Sequence, residues 1–223
     1  MIILARYWNT LKQIKLNRVF QILYPLLVYF FIYQLGVAFL IDIIGDKYGK
    51  LTCLLIAGIV CIIPIFQIYS SVPKLIPEQT ISRKLIIQYI LWVVGAVLLG
   101  IVVNIILTHT PLIEASAGFS KSSSILTDGN LLIKILCNCL VIPILEELLM
   151  RGIIVGQIYL WHGTLPAIII SSICFGILHN NIVQFIYAMV IGIGLGLMYI
   201  KTRRLSLSIL THCLINFIVI IFS

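Results

Sequence analysis

Apolar runs at roughly 19–44, 51–70, 86–108, 131–158, 165–181, 182–200 and 205–222 alternate along this 223-residue chain with short clusters of polar residues. Most of them reach the ~20 residues that a helix needs to cross a bilayer. The pattern predicts seven spanning helices in an all-α, polytopic membrane bundle, with residues 1–223 as a single integral membrane domain. The fifth and sixth runs meet almost without a linker, so Asn180-Asn181 is expected to mark a tight turn or a broken helix, which a membrane tolerates only where protein or a cavity surrounds it. Residues 111–130, with Gly118, Ser122 to Ser124 and Asp128-Gly129-Asn130, read as the only long polar loop, either a gate or a mobile connection. In the sixth run Gly192, Gly194 and Gly196 follow no strand, which argues against a phosphate-binding loop. Ala188, Gly192 and Gly196, spaced by four, read instead as a close helix-packing face.

Composition sharpens this picture. Hydrophobic residues make up 61% of the chain and charged ones only 10%, and the mean hydropathy is +1.18, far from the balance of a soluble domain. The net charge of +8 would suggest nucleic acid in a soluble protein, but the basic residues sit in short loops between apolar runs, so no nucleic-acid partner is expected. Arg6, Lys12, Lys15 and Arg18 give residues 1–18 the character of a basic interfacial segment. With that segment inside, Lys74, Arg83, Lys84, Lys201, Arg203 and Arg204 also fall on the inner side, against Lys47, Lys50 and Lys121 outside. The expectation is a multi-pass protein of the cell membrane with a cytoplasmic N-terminus and an external C-terminus. No cleavable signal peptide is expected, because the first apolar run is too long and lacks a small-residue cleavage site. The six cysteines lie inside apolar runs without metal-knuckle spacing and read as small hydrophobes.

Charge inside the runs changes the picture most. Asp42, Asp46, Glu78, Glu114 and Asp128 sit at run ends or in loops, which leaves Glu146 and Glu147 as the acidic residues at membrane depth, with Arg151 close by. Ionised groups there are expensive and mark sites. On a helix Glu147 and Arg151 share a face, while Glu146 is turned about 100° away, so one glutamate can be paired and the other free. His179 with Asn180, and His212 with Asn216 one helical turn further on, add polar groups on two more runs. His109 and His162 flank loops. Taken singly, a buried histidine or asparagine is common glue between membrane helices, and Glu147 with Arg151 can be a satisfied ion pair. Together they form the set a hydrolase needs. A glutamate desolvated among apolar groups is a stronger base for taking a proton from water, a histidine can orient that water, and histidine with asparagine can donate to a developing oxyanion. Glu146, His179 and His212 are equally candidates to hold a divalent metal such as zinc, so the cofactor is a metal ion or none.

Glu146-Glu147-x-x-x-Arg151, Phe175-Gly176-Ile177-Leu178-His179 and His212-x-x-x-Asn216, in that order on separate predicted helices, resemble the three motifs of the CPBP family of intramembrane proteases. That family includes the type II CAAX prenyl endopeptidases and the bacterial Abi proteins, and the resemblance covers about residues 131–222. It implies that Glu146 and His179 activate the water, that His212 and Asn216 form the oxyanion hole, and that Glu147 with Arg151 supports them. The family is commonly labelled as metalloprotease, although the same residues can be read as a metal-free glutamate protease. The expected activity is cleavage of a membrane-associated peptide or lipid-modified protein in the bilayer. The competing reading is a non-catalytic membrane factor, such as a bacteriocin self-immunity protein or a scaffold for a membrane sensor.

Overall fold

The computed structural model describes residues 17–72 and 82–222. Most of the expected interfacial segment 1–18 lies outside these, as do Lys74 and Glu78. In chain order the helices are α1 (Arg18–Tyr48), α2 (Lys50–Ser71), α3 (Arg83–Thr108), α4 (Leu112–Ala115), α5 (Ala117–Leu126), α6 (131–162), α7 (Thr164–Ile177), α8 (Ile182–Thr202) and α9 (Leu205–Phe222). No strand occurs among the described residues. Two helices are wound more loosely in places: α1 has a π-helical turn at Phe30–Gln34, and α6 has two, at Ile135–Val141 and Leu148–Val155. Such turns are rare and cluster at functional sites. The two in α6 bracket Glu146 and Glu147.

Each of the seven expected runs contains a helix. By length and composition α1, α2, α3 and α8 are each able to cross a membrane. The expected span 165–181 is shorter than the sequence suggested, because α7 stops at Ile177 after 14 residues, about 21 Å at 1.5 Å per residue and less than the ~30 Å hydrocarbon core. A turn then carries Leu178, His179 and Asn180, with Asn180 in the left-handed region at φ 55°, which asparagine tolerates better than most residues. Asn181 caps α8 by accepting from the Gln184 N–H at 2.9 Å. The tight turn expected at Asn180-Asn181 is therefore present.

Polarity is arranged inside out. On α3, Ile87, Leu91, Leu98, Val102 and Ile105 all face outward, more than half exposed, whereas Glu147, Arg151, Ser171, Thr202, Ser208 and Thr211 are buried. A monomer in water rarely carries so wide an apolar belt, and lipid tails provide its natural cover. The chain is an all-α membrane helical bundle.

Residues 111–130 correct the expectation of a loop. They form α4 and α5, with Ser116 accepting from the Phe119 N–H at 3.2 Å to cap α5 and Asn130 accepting from the Ile133 N–H at 3.0 Å to cap α6. Asp128 accepts the Lys50 N–H at 2.7 Å, fixing the start of α2 just after Gly49. Asn181 donates to Ser122 at 3.4 Å, so this segment packs against the turn between α7 and α8. Its serines and asparagines suggested a loop because they are cap formers, and here they cap helices. The glycine face of α8 does pack closely: a Cβ on Gly192 would lie 3.1 Å from the Ser172 Cα, and one on Gly196 would lie 3.6 Å from Ile168. That is close packing of α7 on α8 through small residues.

Candidate active site

Glu146 and Glu147 are successive residues of α6, so the helix aims them in different directions. Glu147 is 0% exposed. Its Oε1 lies 2.8 Å from Arg151 Nη1, in charge contact along the same helix rather than in aligned hydrogen-bond geometry. The same oxygen accepts from His212 Nδ1 at 2.9 Å, and Oε2 accepts from the Ser208 hydroxyl at 2.7 Å. A carboxylate fully removed from water needs such partners, because an unpaired buried charge is far costlier than a paired one. Arg151 is held in turn: Nη2 donates to the Gly192 carbonyl at 3.4 Å, and the guanidinium lies 4.9 Å from the centre of the Phe175 ring.

Glu146, 7% exposed, approaches the other nitrogen of the same imidazole, with Oε2 3.8 Å from His212 Nε2. Because the Glu147 carboxylate only accepts, His212 Nδ1 carries a hydrogen and Nε2 is the nitrogen presented to Glu146. His179 is fixed by similar logic. Its Nδ1 lies 2.8 Å from the Phe175 carbonyl, which only accepts, so Nδ1 carries a hydrogen and Nε2 is the nitrogen left for another partner. The two imidazoles meet across one aromatic ring, with Phe175 edge-on to His179 at 4.9 Å and to His212 at 5.9 Å between centroids.

The structure thus places Glu146, Glu147, Arg151 and His212 in one polar cluster, with His179 joined to it through Phe175. Among the described residues no ion pair or hydrogen bond links His179 to Glu146 directly. Asn216 is directed elsewhere, donating to the Asn138 carbonyl on α6 at 2.7 Å. Its second N–H is not used in that bond. Among the described residues no three His, Cys, Asp or Glu side chains converge as a metal ion requires. His212 and Glu146 supply at most two donors here, so the arrangement does not fit a zinc site. All six cysteines are free thiols.

Ser208 and Phe175 matter more than their sequence positions suggested. Ser208 lies one turn before His212 and reaches Glu147 across 61 positions of sequence, and the periodicity of an apolar helix with scattered serines does not show such a contact. Tyr29 and Tyr33 of α1 lie within electrostatic reach of Glu146, and Tyr29 shares a buried cluster with Leu145 and Leu149. Beside the His179 turn, Gly176, Ile177, Asn180, Asn181, Ile182 and Phe185 line an open groove of about 290 Å³.

The stretch that carries this site is similar in sequence to known proteins. Residues 128–218 match the family described as Type II CAAX prenyl endopeptidase Rce1-like. This stretch is similar to that family. It contains all three motifs on which the resemblance was read. A protein of Bacillus subtilis (strain 168) named "Putative membrane peptidase YdiL" is 33% identical over 87 residues, which is 39% of this chain and 36% of that protein. The chain is thus matched over little more than a third of that relative's length. No solved structure matches it. The Rce1-like stretch begins just before α6 and ends in α9, so it takes in the charged cluster and leaves α1, α2 and α3 outside.

Proposed function

We propose that this chain is an intramembrane endopeptidase that hydrolyses a peptide bond of a membrane-associated or lipid-modified peptide or protein. The observation that carries the reading is one imidazole, His212, approached by two carboxylates from its two nitrogens inside an apolar bundle. The two glutamates divide the labour. Glu147, neutralised by Arg151, accepts from His212 Nδ1 and so orients the ring, as a buried carboxylate does for a catalytic imidazole. Glu146 makes no such pair with an arginine or lysine among the described residues and remains available as the base.

In the reaction, Glu146 takes a proton from a water lying between it and His179, whose Nε2 accepts from and orients that water. The resulting hydroxide attacks the carbonyl carbon of the scissile amide. The negative charge moves to the carbonyl oxygen, where His212 Nε2–H, in the imidazolium form, and the spare N–H of Asn216 stabilise it. Glu146 then returns its proton to the leaving amine, and the C–N bond breaks. The groove beside the His179 turn is the approach for the substrate chain. The bilayer around the helices brings membrane-bound substrates to the site by two-dimensional diffusion.

The test is cleavage of a membrane-anchored peptide by full-length protein in nanodiscs. Glu146→Gln keeps the shape of the side chain but removes the base, so turnover should fall to background while the peptide still binds. Chelator should leave wild-type turnover unchanged, and activity that vanished with chelator and returned with Zn²⁺ would replace this mechanism with a metal-bound water. Wild-type turnover in Glu146→Gln would sink the protease reading and put the non-catalytic membrane factor forward.

A further inference from the structure

The turn that presents His179 is held from outside the Rce1-like stretch. Where α7 ends, the Leu178 carbonyl has no helical partner, as expected for the last turn of a helix. It accepts from the side-chain amide of Gln34 at 2.7 Å, across 144 positions of sequence. Asn180 donates back to Gln34 Oε1 at 3.4 Å, and the Asn181 side chain donates to the His179 carbonyl at 3.1 Å. The residues on both sides of His179 are therefore tied to one glutamine. Gln34 closes the π-helical turn Phe30–Gln34, whose extra residue changes the helical phase of the rest of α1. Tyr33, the preceding residue, is within electrostatic reach of Glu146.

We propose that Gln34 is a positioning residue of the site: its amide clamps the Leu178–Asn180 turn and so sets where His179 Nε2 stands. This rests on the endopeptidase reading for its effect on rate, though not for the clamp itself. An amide suits the position because it both donates to Leu178 and accepts from Asn180, and no other side-chain group does both at that reach except a hydroxyl or an imidazole. The site is then shared between the Rce1-like stretch, which supplies the reacting groups, and α1, which supplies the frame.

The experiment compares Gln34→Leu, Gln34→Glu and Gln34→Lys with wild type in nanodiscs. Gln34→Glu has the same shape but cannot donate to Leu178, whereas Gln34→Lys retains an N–H donor. Because a displacement of about 1 Å can cost on the order of 10² in rate, Gln34→Leu and Gln34→Glu should lose about 10²-fold in kcat with KM within about twofold, and Gln34→Lys should recover most of the loss. In parallel, ¹⁵N-histidine spectra, with His179 assigned by its loss in His179→Gln, should change from a single Nδ1–H tautomer in wild type to a mixture in Gln34→Leu. A kcat for Gln34→Leu within about twofold of wild type, or an unchanged His179 tautomer, overturns the proposal. If wild-type protein and Glu146→Gln cleave equally poorly, the protease reading falls by itself, and the tautomer measurement still decides the clamp.

Discussion

Arg151 and Glu147 can be removed singly or together, and the structure sets what each change should cost. Arg151→Met leaves a carboxylate that is 0% exposed with the Ser208 hydroxyl and His212 but without its cation. Glu147→Gln leaves a guanidinium that is 1% exposed facing the Gly192 carbonyl and the Phe175 ring. Leaving one charge of a buried pair uncompensated costs roughly 3–5 kcal/mol. For a protein of 150–250 residues each kcal/mol shifts the melting midpoint by about 2–4 °C, so each single variant should melt some 6–20 °C lower. The double variant leaves no orphaned charge in this pair. It should therefore melt above the sum of the two losses, with a coupling energy of roughly 2 kcal/mol or more. The assay is a thermal unfolding series of the four proteins in one detergent, followed by tryptophan fluorescence. Losses in the double variant that equalled the sum of the singles to within about 0.5 kcal/mol would show that Glu147 and Arg151 do not compensate one another.

Packing and charge set two further outcomes. Gly192→Leu drives a side chain into Ser172, whose backbone already stands 3.1 Å from where a Cβ would be; it should destabilise by about 1–3 kcal/mol and weaken the Arg151 contact to the Gly192 carbonyl, and an unchanged melting midpoint would refute the close approach of α7 and α8. The asymmetry of loop charge predicts that Lys84 and Lys201 face the cytoplasm, so reporter fusions at both positions should read as internal, and an external reading at either would overturn that prediction.

The parts of the site legible in sequence were those that violate the apolar background. Two glutamates and an arginine within a membrane-depth run stand out from composition alone, and the i,i+4 spacing correctly paired Glu147 with Arg151. The Asn180-Asn181 break was visible because two apolar runs had no linker between them. What escaped depends on rotation about helix axes and on contacts distant in sequence. Nothing local marks Ser208 as the donor to Glu147 or Gln34 as the donor to Leu178. The spacing of His212 and Asn216 placed them on one face but did not show that Asn216 would turn toward Asn138. Residues 111–130 misled for a different reason: a string of good cap residues has the composition of a loop even when it punctuates two short helices.

The pairing of Glu147 with Arg151 inside one helix also bears on how the protein is made. A segment leaving the translocon is weighed largely by itself, and each charged residue at its centre adds about 2.5–3.5 kcal/mol to the cost of entering lipid. Three such residues close together would place α6 near rejection. Folding one of them back on another, 2.8 Å away on the same helix, lets two of the charges enter as a neutral unit before any later helix exists. Ser208 and His212 are synthesised afterwards and reach Glu147 only when α9 docks against α6.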